Sequence, residues 1–191
     1  SPVQVSGGGI AADSGQRSGT LMPVIPVRVT SQSGEVVETL ALCDSGSSGT
    51  FMSKSLAEQL GMSSEPTSIS VDTVCGSGRD VSTSVTVDVK VGRQSGEQWF
   101  SLPPVFTVGR IPVHGEDVCD EAELSRWPHL SGVELGVELG ASREVSLLIG
   151  ANSPELLVPE EVRRPEGKGP FAVRTVLGWY VFGPSHRSSC V

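Results

Sequence analysis

Aromatic side chains are scarce in this sequence, since Phe, Tyr and Trp make up only 5% of its 191 residues. A hydrophobic core must therefore be built mainly from Val, Leu and Ile, and 37% of all residues are hydrophobic. Val and Ile branch at Cβ, which suits them to the pleated surface of a sheet and costs them rotamer freedom in a helix. With 23 glycines and 13 prolines available for turns, this composition predicts an all-β domain.

Positive charge is also in short supply, because 14 Lys and Arg face 22 Asp and Glu and leave a net charge of −8. Attraction to phosphates supplies most non-specific affinity for nucleic acid, so no direct nucleic-acid binding is predicted. No apolar run approaches the roughly 18–20 residues that span a bilayer. No charged-then-apolar leader opens the chain either, and no membrane partner is predicted.

Cysteines are few and widely spaced, at Cys43, Cys75, Cys119 and Cys190, and no C-x-x-C motif occurs. This spacing argues against both a zinc site and a disulfide framework, and it indicates a reducing compartment. A redox pair of Cys43 and Cys75 is conceivable. Small buried residues are nevertheless the commoner role for such cysteines.

Residues 1–20 are rich in Gly and Ser and lack apolar periodicity, which predicts a flexible leader. Residues 185–191 are expected to be a loose C-terminal tail, which leaves one domain over residues 21–184. A first Asp-Ser-Gly, at Asp13, lies in the leader, where the neighbouring sequence would not hold its geometry. The tripeptide recurs at Asp44 in a different setting.

That setting is a series of regular elements. The stretch LMPVIPVRVT alternates apolar residues around two prolines, which predicts an edge strand. A turn follows, and then VVETLALCD predicts a second strand that runs into Asp44. Behind the tripeptide, Phe51, Leu56 and Leu60 stand at near-helical spacing, and Gly61 is the predicted C-cap of a short helix.

The rest of the chain continues the β pattern. TSISVDTV and DVSTSVTVDVKV flank the glycine-rich CGSGR and predict a hairpin, and WFSLPPVFTV predicts a strand interrupted by proline. Residues 109–143 are irregular and acidic, and could cover a substrate groove, add subunit contacts or form a simple loop. EVSLLIG predicts a buried strand, NSPELLVPEEV one or two helical turns, and GPFAVRTVLGWYVFGP one or two closing strands.

Asp44 taken alone is ordinary turn chemistry. Its surroundings, however, supply what an aspartic peptidase needs: a carboxylate at a strand end, a hydroxyl neighbour in Ser45 and a close backbone approach at Gly46. Such an enzyme needs two carboxylates sharing one proton, so that one acts as base towards a water while the other acts as acid. A symmetric homodimer with Asp44 from each subunit on its two-fold axis would provide the pair, without metal or cofactor.

Five motifs occur in order along the chain: LALCDSGSSGTFMS, VDTVCGSGR, WPHLSGVEL, VSLLIGANSPELL and PFAVRTVLGWYVFGP. With them the chain resembles, over residues 21–184, the retropepsin-like aspartic proteases of LTR retrotransposons, most closely those of the BEL/Pao type. The resemblance implies a retropepsin-like closed β-barrel (the acid protease fold) with one or two short helices and one lobe per chain. It further implies dimerisation through the active-site face and cleavage of a transposon-encoded polyprotein, in a cytoplasmic virus-like particle or polyprotein context.

The resemblance also implies roles for particular residues. They are Asp44 as the catalytic carboxylate, Ser45 and Gly46 as support of its loop, Cys75, Gly76, Ser77 and Gly78 at the tip of a substrate-covering flap, and Gly150 at the end of the strand that buttresses the catalytic loop. One position departs from the family pattern. Retroviral proteases usually follow this Ile-Gly with an Arg that helps to hold the dimer, whereas Ala151 and Asn152 stand here, which puts the mode of dimerisation in question.

Other chemistries have weaker support. The three histidines, His114, His129 and His186, sit in irregular or terminal sequence, and GSSG does not supply the G-x-S-x-G elbow of a serine hydrolase. Trp127 and Trp179 are expected to pack in the core. Two hypotheses therefore stand: an active homodimeric aspartic endopeptidase, and a catalytically silent retropepsin-fold module for dimerisation or peptide binding.

Overall fold

The computed structural model of the protein describes residues 4–7, 18–62, 65–73, 76–136 and 144–188. Within these ranges the chain forms fourteen strands, three short α-helices and two 3-10 turns. The strands are β1 (Gln4–Gly7), β2 (Ser18–Leu21), β3 (Val24–Thr30), β4 (Val36–Asp44), β5 (Thr50–Ser53), β6 (Glu65–Thr73), β7 (Gly76–Thr86), β8 (Lys90–Arg93), β9 (Phe100–Ser101), β10 (Val105–Val108), β11 (Val145–Gly150), β12 (Glu161–Arg163), β13 (Phe171–Thr175) and β14 (Gly178–Ser188). The helices are α1 (Lys54–Gln59), α2 (Glu121–Leu124) and α3 (Pro154–Leu157), and the 3-10 turns are Gly115–Asp117 and Pro128–Leu130.

The strands form two sheets. The larger has ten strands in the order β1-β6-β7-β10-β5-β11-β4-β3-β8-β9, and the smaller has four in the order β12-β13-β14-β2. The larger sheet curls into a half-barrel, and the prediction of an all-β acid protease fold is confirmed. Helices are slightly more numerous than the predicted one or two, because α2 adds one turn in the region of residues 109–143, where no helix is predicted.

The prediction of an edge strand over LMPVIPVRVT is wrong, because β3 lies inside the sheet between β4 and β8. The Cys43 N–H donates to the Pro23 carbonyl at 2.8 Å, and antiparallel alternation then points position 26 away from β4. On its other side β3 pairs with β8 only from Val27 to Thr30. The N–H that Pro26 lacks therefore has no ladder partner to lose, and proline is tolerated in an interior strand.

The two faces of β4 belong to two different hydrophobic clusters. Ala41 and Cys43 are buried in one cluster together with Leu56 of α1. Leu40 and Leu42 are buried in the other. Because successive side chains of a strand alternate between faces, the side chain of the last strand residue shares the face of Leu40 and Leu42.

The short helix α1 lies where the sequence predicts a helix, but it begins only at Lys54. Phe51, which is predicted to share the helical spacing of Leu56 and Leu60, lies in strand β5 instead. Ser53 caps its N-terminus by accepting a hydrogen bond from the Leu56 N–H at 3.2 Å. Gly61 follows the helix with φ = +61°, the left-handed conformation that ends many helices. Leu56 and Leu60 are fully buried, and together they tie the helix to the core.

Regular structure reaches into both end segments of the chain. β2 pairs with β14, and β14 continues to Ser188. At the beginning of the chain, β1 pairs in parallel with β6. These pairings satisfy backbone groups that a loose segment would leave to water. Within the described ranges no helix has both the length and the hydropathy needed to span a membrane.

Candidate active site

Asp44 is the last residue of β4, where the strand passes into the turn that leads to β5. Its side chain is half-buried. The Gly46 N–H donates to Asp44 Oδ1 at 2.9 Å, and the Ser47 N–H donates to the Asp44 carbonyl at 3.1 Å. The carboxylate is thereby fixed by its own turn and remains accessible to a partner or a substrate.

The two residues after Asp44 differ in their surroundings. A Cβ added at Gly46 would lie 3.1 Å from Asp44 Oδ1, which is tighter than most such contacts, so glycine allows the close approach predicted for this position. Ser45 is exposed, and its hydroxyl makes no hydrogen bond within the described part of the chain. The expected support of the loop by Ser45 stays a prediction.

Gly150 ends β11 directly beside Asp44, with which it pairs in the parallel ladder between β11 and β4. A Cβ at Gly150 would lie 2.1 Å from the Gly49 carbonyl oxygen and 2.8 Å from that of Ser47. The Ala151 N–H donates to the Ser47 carbonyl at 2.7 Å. The end of β11 is thus packed against the turn that carries Asp44, and only glycine fits there.

A chain of hydrogen bonds that the sequence reasoning missed connects the same two segments. The Gly150 N–H donates to Thr50 Oγ1 at 3.2 Å, and the Thr50 hydroxyl donates to Asn152 Oδ1 at 2.8 Å. Thr50 is fully buried. Nearby, the buried Ser47 hydroxyl donates to the Gly49 carbonyl at 2.8 Å.

The small hydroxyl residues in the Gly-Ser run after Asp44 could have indicated a hydrogen-bond network. The sequence alone, however, does not tell which of these hydroxyls is buried. Ala151 and Asn152, which stand where retroviral proteases usually have an Arg, take part in these local contacts. Asn152 accepts from Thr50 across the end of β11, while Ala151 contributes only its backbone.

The predicted flap is a hairpin of β6 and β7, which pair in antiparallel fashion from Glu65↔Val85 to Thr73↔Gly76. Gly76, Ser77 and Gly78 lie at the start of β7, next to the tip, where they are predicted. Cys75 lies outside the described residues. The hairpin continues the sheet through the pairing of β7 with β10.

Cys43 precedes Asp44 in the sequence. Its side chain lies on the opposite face of β4, in the hydrophobic cluster that contains Leu56. Burial raises the pKa of the Cys43 thiol to about 12. Burial also raises the pKa of Tyr180 to about 12, with a smaller contribution from the nearby Cys43. Cys43 is therefore a buried packing thiol, as expected of a small core cysteine; the alternative redox partner, Cys75, lies outside the described residues.

The remaining candidate residues lie in other surroundings. The His129 Nε2 is 2.9 Å from the Pro170 carbonyl, and the His186 ring stacks on Trp127 with centroids 4.2 Å apart. Trp179 is 8% exposed and packs in the core, as expected. In the described ranges no group of three or more His, Cys, Asp or Glu side chains is arranged to hold a metal ion.

Comparison with known proteins agrees with this geometry. Residues 25–105 match the family model described as Aspartyl protease. The matched range runs from β3 to the first residue of β10, so it contains the Asp44 turn and the hairpin and leaves out β11. No curated protein and no solved structure matches the chain. The fold, the fixed carboxylate at a strand end and this match support an aspartic protease.

Proposed function

We propose that the protein is an aspartic endopeptidase that works as a homodimer, in which each protomer supplies one Asp44. The observation that carries the proposal is the placement of Asp44. Its carboxylate stands at the end of a buried strand, is held at 2.9 Å by the Gly46 N–H, and is backed by the end of β11. The contact with the Gly46 N–H alone fits an ordinary turn, whereas the ladder with β11 additionally fixes the backbone of Asp44.

The proposed reaction uses the two carboxylates in complementary protonation states. The ionised one takes a proton from a water molecule as the water oxygen attacks the carbonyl carbon of the substrate peptide. The protonated one gives its proton to the carbonyl oxygen, which yields a neutral diol. As the diol collapses, the ionised carboxylate takes the proton of one diol hydroxyl, the C=O bond re-forms and the C–N bond breaks. The protonated carboxyl group gives its proton to the amine that leaves, so the pair again holds one proton.

Two further features support the proposed homodimeric peptidase, one for the dimer and one for peptide binding. Ser45 exposes its hydroxyl beside Asp44, so this donor is available to a second protomer approaching the same face. The β6–β7 hairpin is long enough to extend over a peptide bound at the carboxylates and to exclude water from it. We further propose, from the resemblance, that the substrate is the polyprotein of a BEL/Pao-type retrotransposon, cleaved in a cytoplasmic virus-like particle.

The test is cleavage of an unstructured protein and of the flanking polyprotein by the wild type and by Asp44→Asn, over pH 4–8 and a wide range of enzyme concentration. Asp88→Asn is the matched control, because Asp88 is exposed and its φ of +60° is one that asparagine also adopts. We expect Asp44→Asn to lower the rate by about 10²–10⁴-fold, the control to keep it, and wild-type specific activity to fall steeply on dilution.

Each alternative outcome has a definite meaning. Equal activity of wild type and Asp44→Asn would overturn the assignment of Asp44. Inactivity at every concentration, with a strict monomer by sedimentation, would favour the silent module for peptide binding. Activity that is independent of dilution would argue against a weak homodimer.

A further inference from the structure

The half of the β6–β7 hairpin that lies near its tip, the far half, is paired with a strand from the beginning of the chain. β1 runs parallel to β6, and its partners extend from Gln4↔Ser70 to Gly7↔Thr73. These pairs lie next to the tip of the hairpin, because Thr73 is the last residue of β6. In the far half, β6 therefore lies between β1 and β7 and has a neighbour on each edge.

The two halves of the hairpin are held by different strands. At the base, β10 pairs with β7 over Ser84–Thr86. This ladder does not reach the far half, which begins where Ser70 pairs with Asp80. Within the described part of the chain, β1 is thus the only strand that adds to the far half. A hairpin of two strands is marginally stable in water, and a third strand supplies the support that it lacks.

The outer edge of β6 changes character along its length. Pro66, in the base half, has no N–H to donate to a further strand. Ser70–Thr73 contains no proline, so each of these residues keeps both a donor and an acceptor. Alternate residues of a strand direct these groups towards opposite edges, and some of them therefore face away from β7. An unpaired row of this kind is a template for another strand, and here β1 pairs with it.

β1 is suited to reversible pairing. Its sequence, QVSG, has no charged side chain, and its ladder is only four residues long. The net contribution of a single hydrogen bond to stability is modest, so a ladder of this length can open without unfolding the domain. Residues 8–17 connect β1 to β2, and β2 is paired with β14. A detached β1 therefore stays tethered to the domain, and its return is intramolecular.

We propose that the outer edge of β6 over Ser70–Thr73 is a strand-binding site, separate from the Asp44 turn, and that its occupant is β1 of the same chain. Occupancy keeps the far half of the hairpin ordered, and release of β1 loosens it. The consequence for catalysis rests on the proposed function, in which the hairpin covers the substrate. A hairpin that is already ordered loses less conformational entropy when a peptide binds beneath it, so bound β1 lowers KM.

The experiment uses the full chain with double substitutions in β1. Val5→Pro with Ser6→Pro removes the N–H of two successive residues, and one of the two must face β6 because successive N–H groups alternate between edges. Val5→Ile with Ser6→Thr is the matched control, since it keeps both N–H groups and favours a strand. The readouts are amide hydrogen exchange at Ser70–Thr73, NMR titration with the peptide SPVQVSGGG, and KM and kcat for cleavage of an unstructured protein.

We expect the amides of Ser70–Thr73 that do not bond to β7 to exchange roughly tenfold faster in the proline variant, because only a few modest hydrogen bonds hold β1. The control should exchange as the wild type does. The peptide should shift the resonances of Ser70–Thr73 at roughly tenfold lower concentration in the proline variant than in the wild type, where tethered β1 competes for the site. KM should rise about three- to tenfold in the proline variant, with kcat within about twofold of the wild type.

A third variant keeps the test decisive if the proline variant does not fold. Gln4→Gly with Val5→Gly keeps every N–H and lowers the strand propensity, so it should speed exchange at Ser70–Thr73 in the same direction.

Wild-type exchange at Ser70–Thr73 in both the proline and the glycine variant would overturn the proposal. Peptide titrations that are equal in the wild type and the proline variant would do the same. Faster exchange with an unchanged KM would remove the link to substrate binding. A protein that shows the expected exchange and titration but cleaves nothing would refute the peptidase function alone, and the strand-binding site would stand, so the two failures are distinguishable.

Discussion

The hydroxyl of Thr50 offers the sharpest test of how the Asp44 turn is held. Thr50→Val keeps the size and branching of the side chain and removes the hydroxyl that accepts from the Gly150 N–H and donates to Asn152. Thr50→Ser keeps the hydroxyl and removes one methyl group. The pair of variants therefore separates the hydrogen bonds from the packing at one fully buried position.

The expected costs follow from the burial of each partner. Gly150 is buried, so Thr50→Val leaves its N–H without an acceptor, at about 1–3 kcal/mol of unfolding free energy. Asn152 is exposed and finds water instead. Thr50→Ser loses one buried methyl, at about 0.8 kcal/mol. For a chain of this size the Thr50→Val cost corresponds to a fall in Tm of about 2–12 °C.

Urea unfolding, amide hydrogen exchange at Gly150 and cleavage rate are the three measurements. We expect faster exchange at Gly150 and a loss of rate of about tenfold or more in Thr50→Val, because small displacements of a reacting group are costly. Thr50→Ser should keep slow exchange and most of the rate. Wild-type stability and exchange in Thr50→Val would refute the reasoning, and equal losses in both variants would show that packing holds the turn.

Four more predictions follow from the same site. Gly150→Ala should destabilise the fold by about 3 kcal/mol or more and abolish activity, because its Cβ would lie 2.1 Å from the Gly49 carbonyl oxygen. Gly167→Ala is the control, since a Cβ there has no atom within 4 Å, and this variant should unfold at the same urea concentration as the wild type. Burial raises the pKa of Cys43 to about 12, so its thiol should resist alkylation at pH 8 while half-buried Cys119 reacts; equal labelling of the two would contradict this. Because that pKa is raised on folding from 9.0, Cys43 costs no stability below about pH 9 and lowers it as pH rises further, by about 1.4 kcal/mol at pH 10. In urea titrations Cys43→Ala should remove this part of the pH dependence and keep the smaller part that comes from Tyr180. Peptidase activity should follow a bell-shaped pH profile with an acidic optimum, because a carboxylate pair must hold one proton, and a rate that still rises at pH 9 would exclude this mechanism.

Much of the fold can be predicted from local patterns. Alternating apolar residues identify the β6–β7 hairpin, because a period of two is the direct consequence of strand geometry. Short continuous apolar runs identify β4 and β11, whose side chains are buried on both faces of the sheet. Errors arise where pairing over long distances decides the outcome. The prolines around β3 indicate an edge strand, yet the length of β8 leaves position 26 unpaired and so permits an interior one.

The candidate site divides in the same way. The Asp-Ser-Gly that begins at Asp44 and the Ile-Gly that ends β11 are recognisable in the sequence, although neither motif alone specifies a site. The pairing of Thr50 with Asn152 is not recognisable in the sequence, because the two residues are 102 positions apart and no sequence pattern links them. Their hydrogen bond exists only because β11 inserts between β4 and β5.

The sequence by itself determined the composition of the core, the strand pattern and the presence of a carboxylate followed by a hydroxyl residue and glycine. These are local properties, set by side-chain branching, periodicity and turn chemistry. Only the tertiary structure decided that Gly150 lies against the Asp44 turn, that Thr50 is the buried hydroxyl, and that Ile111 and Val118 are buried on the face of the carboxylate. The physical reason is that each of these depends on contacts between distant segments, and such contacts are selected by the burial and hydrogen bonding of the whole sheet.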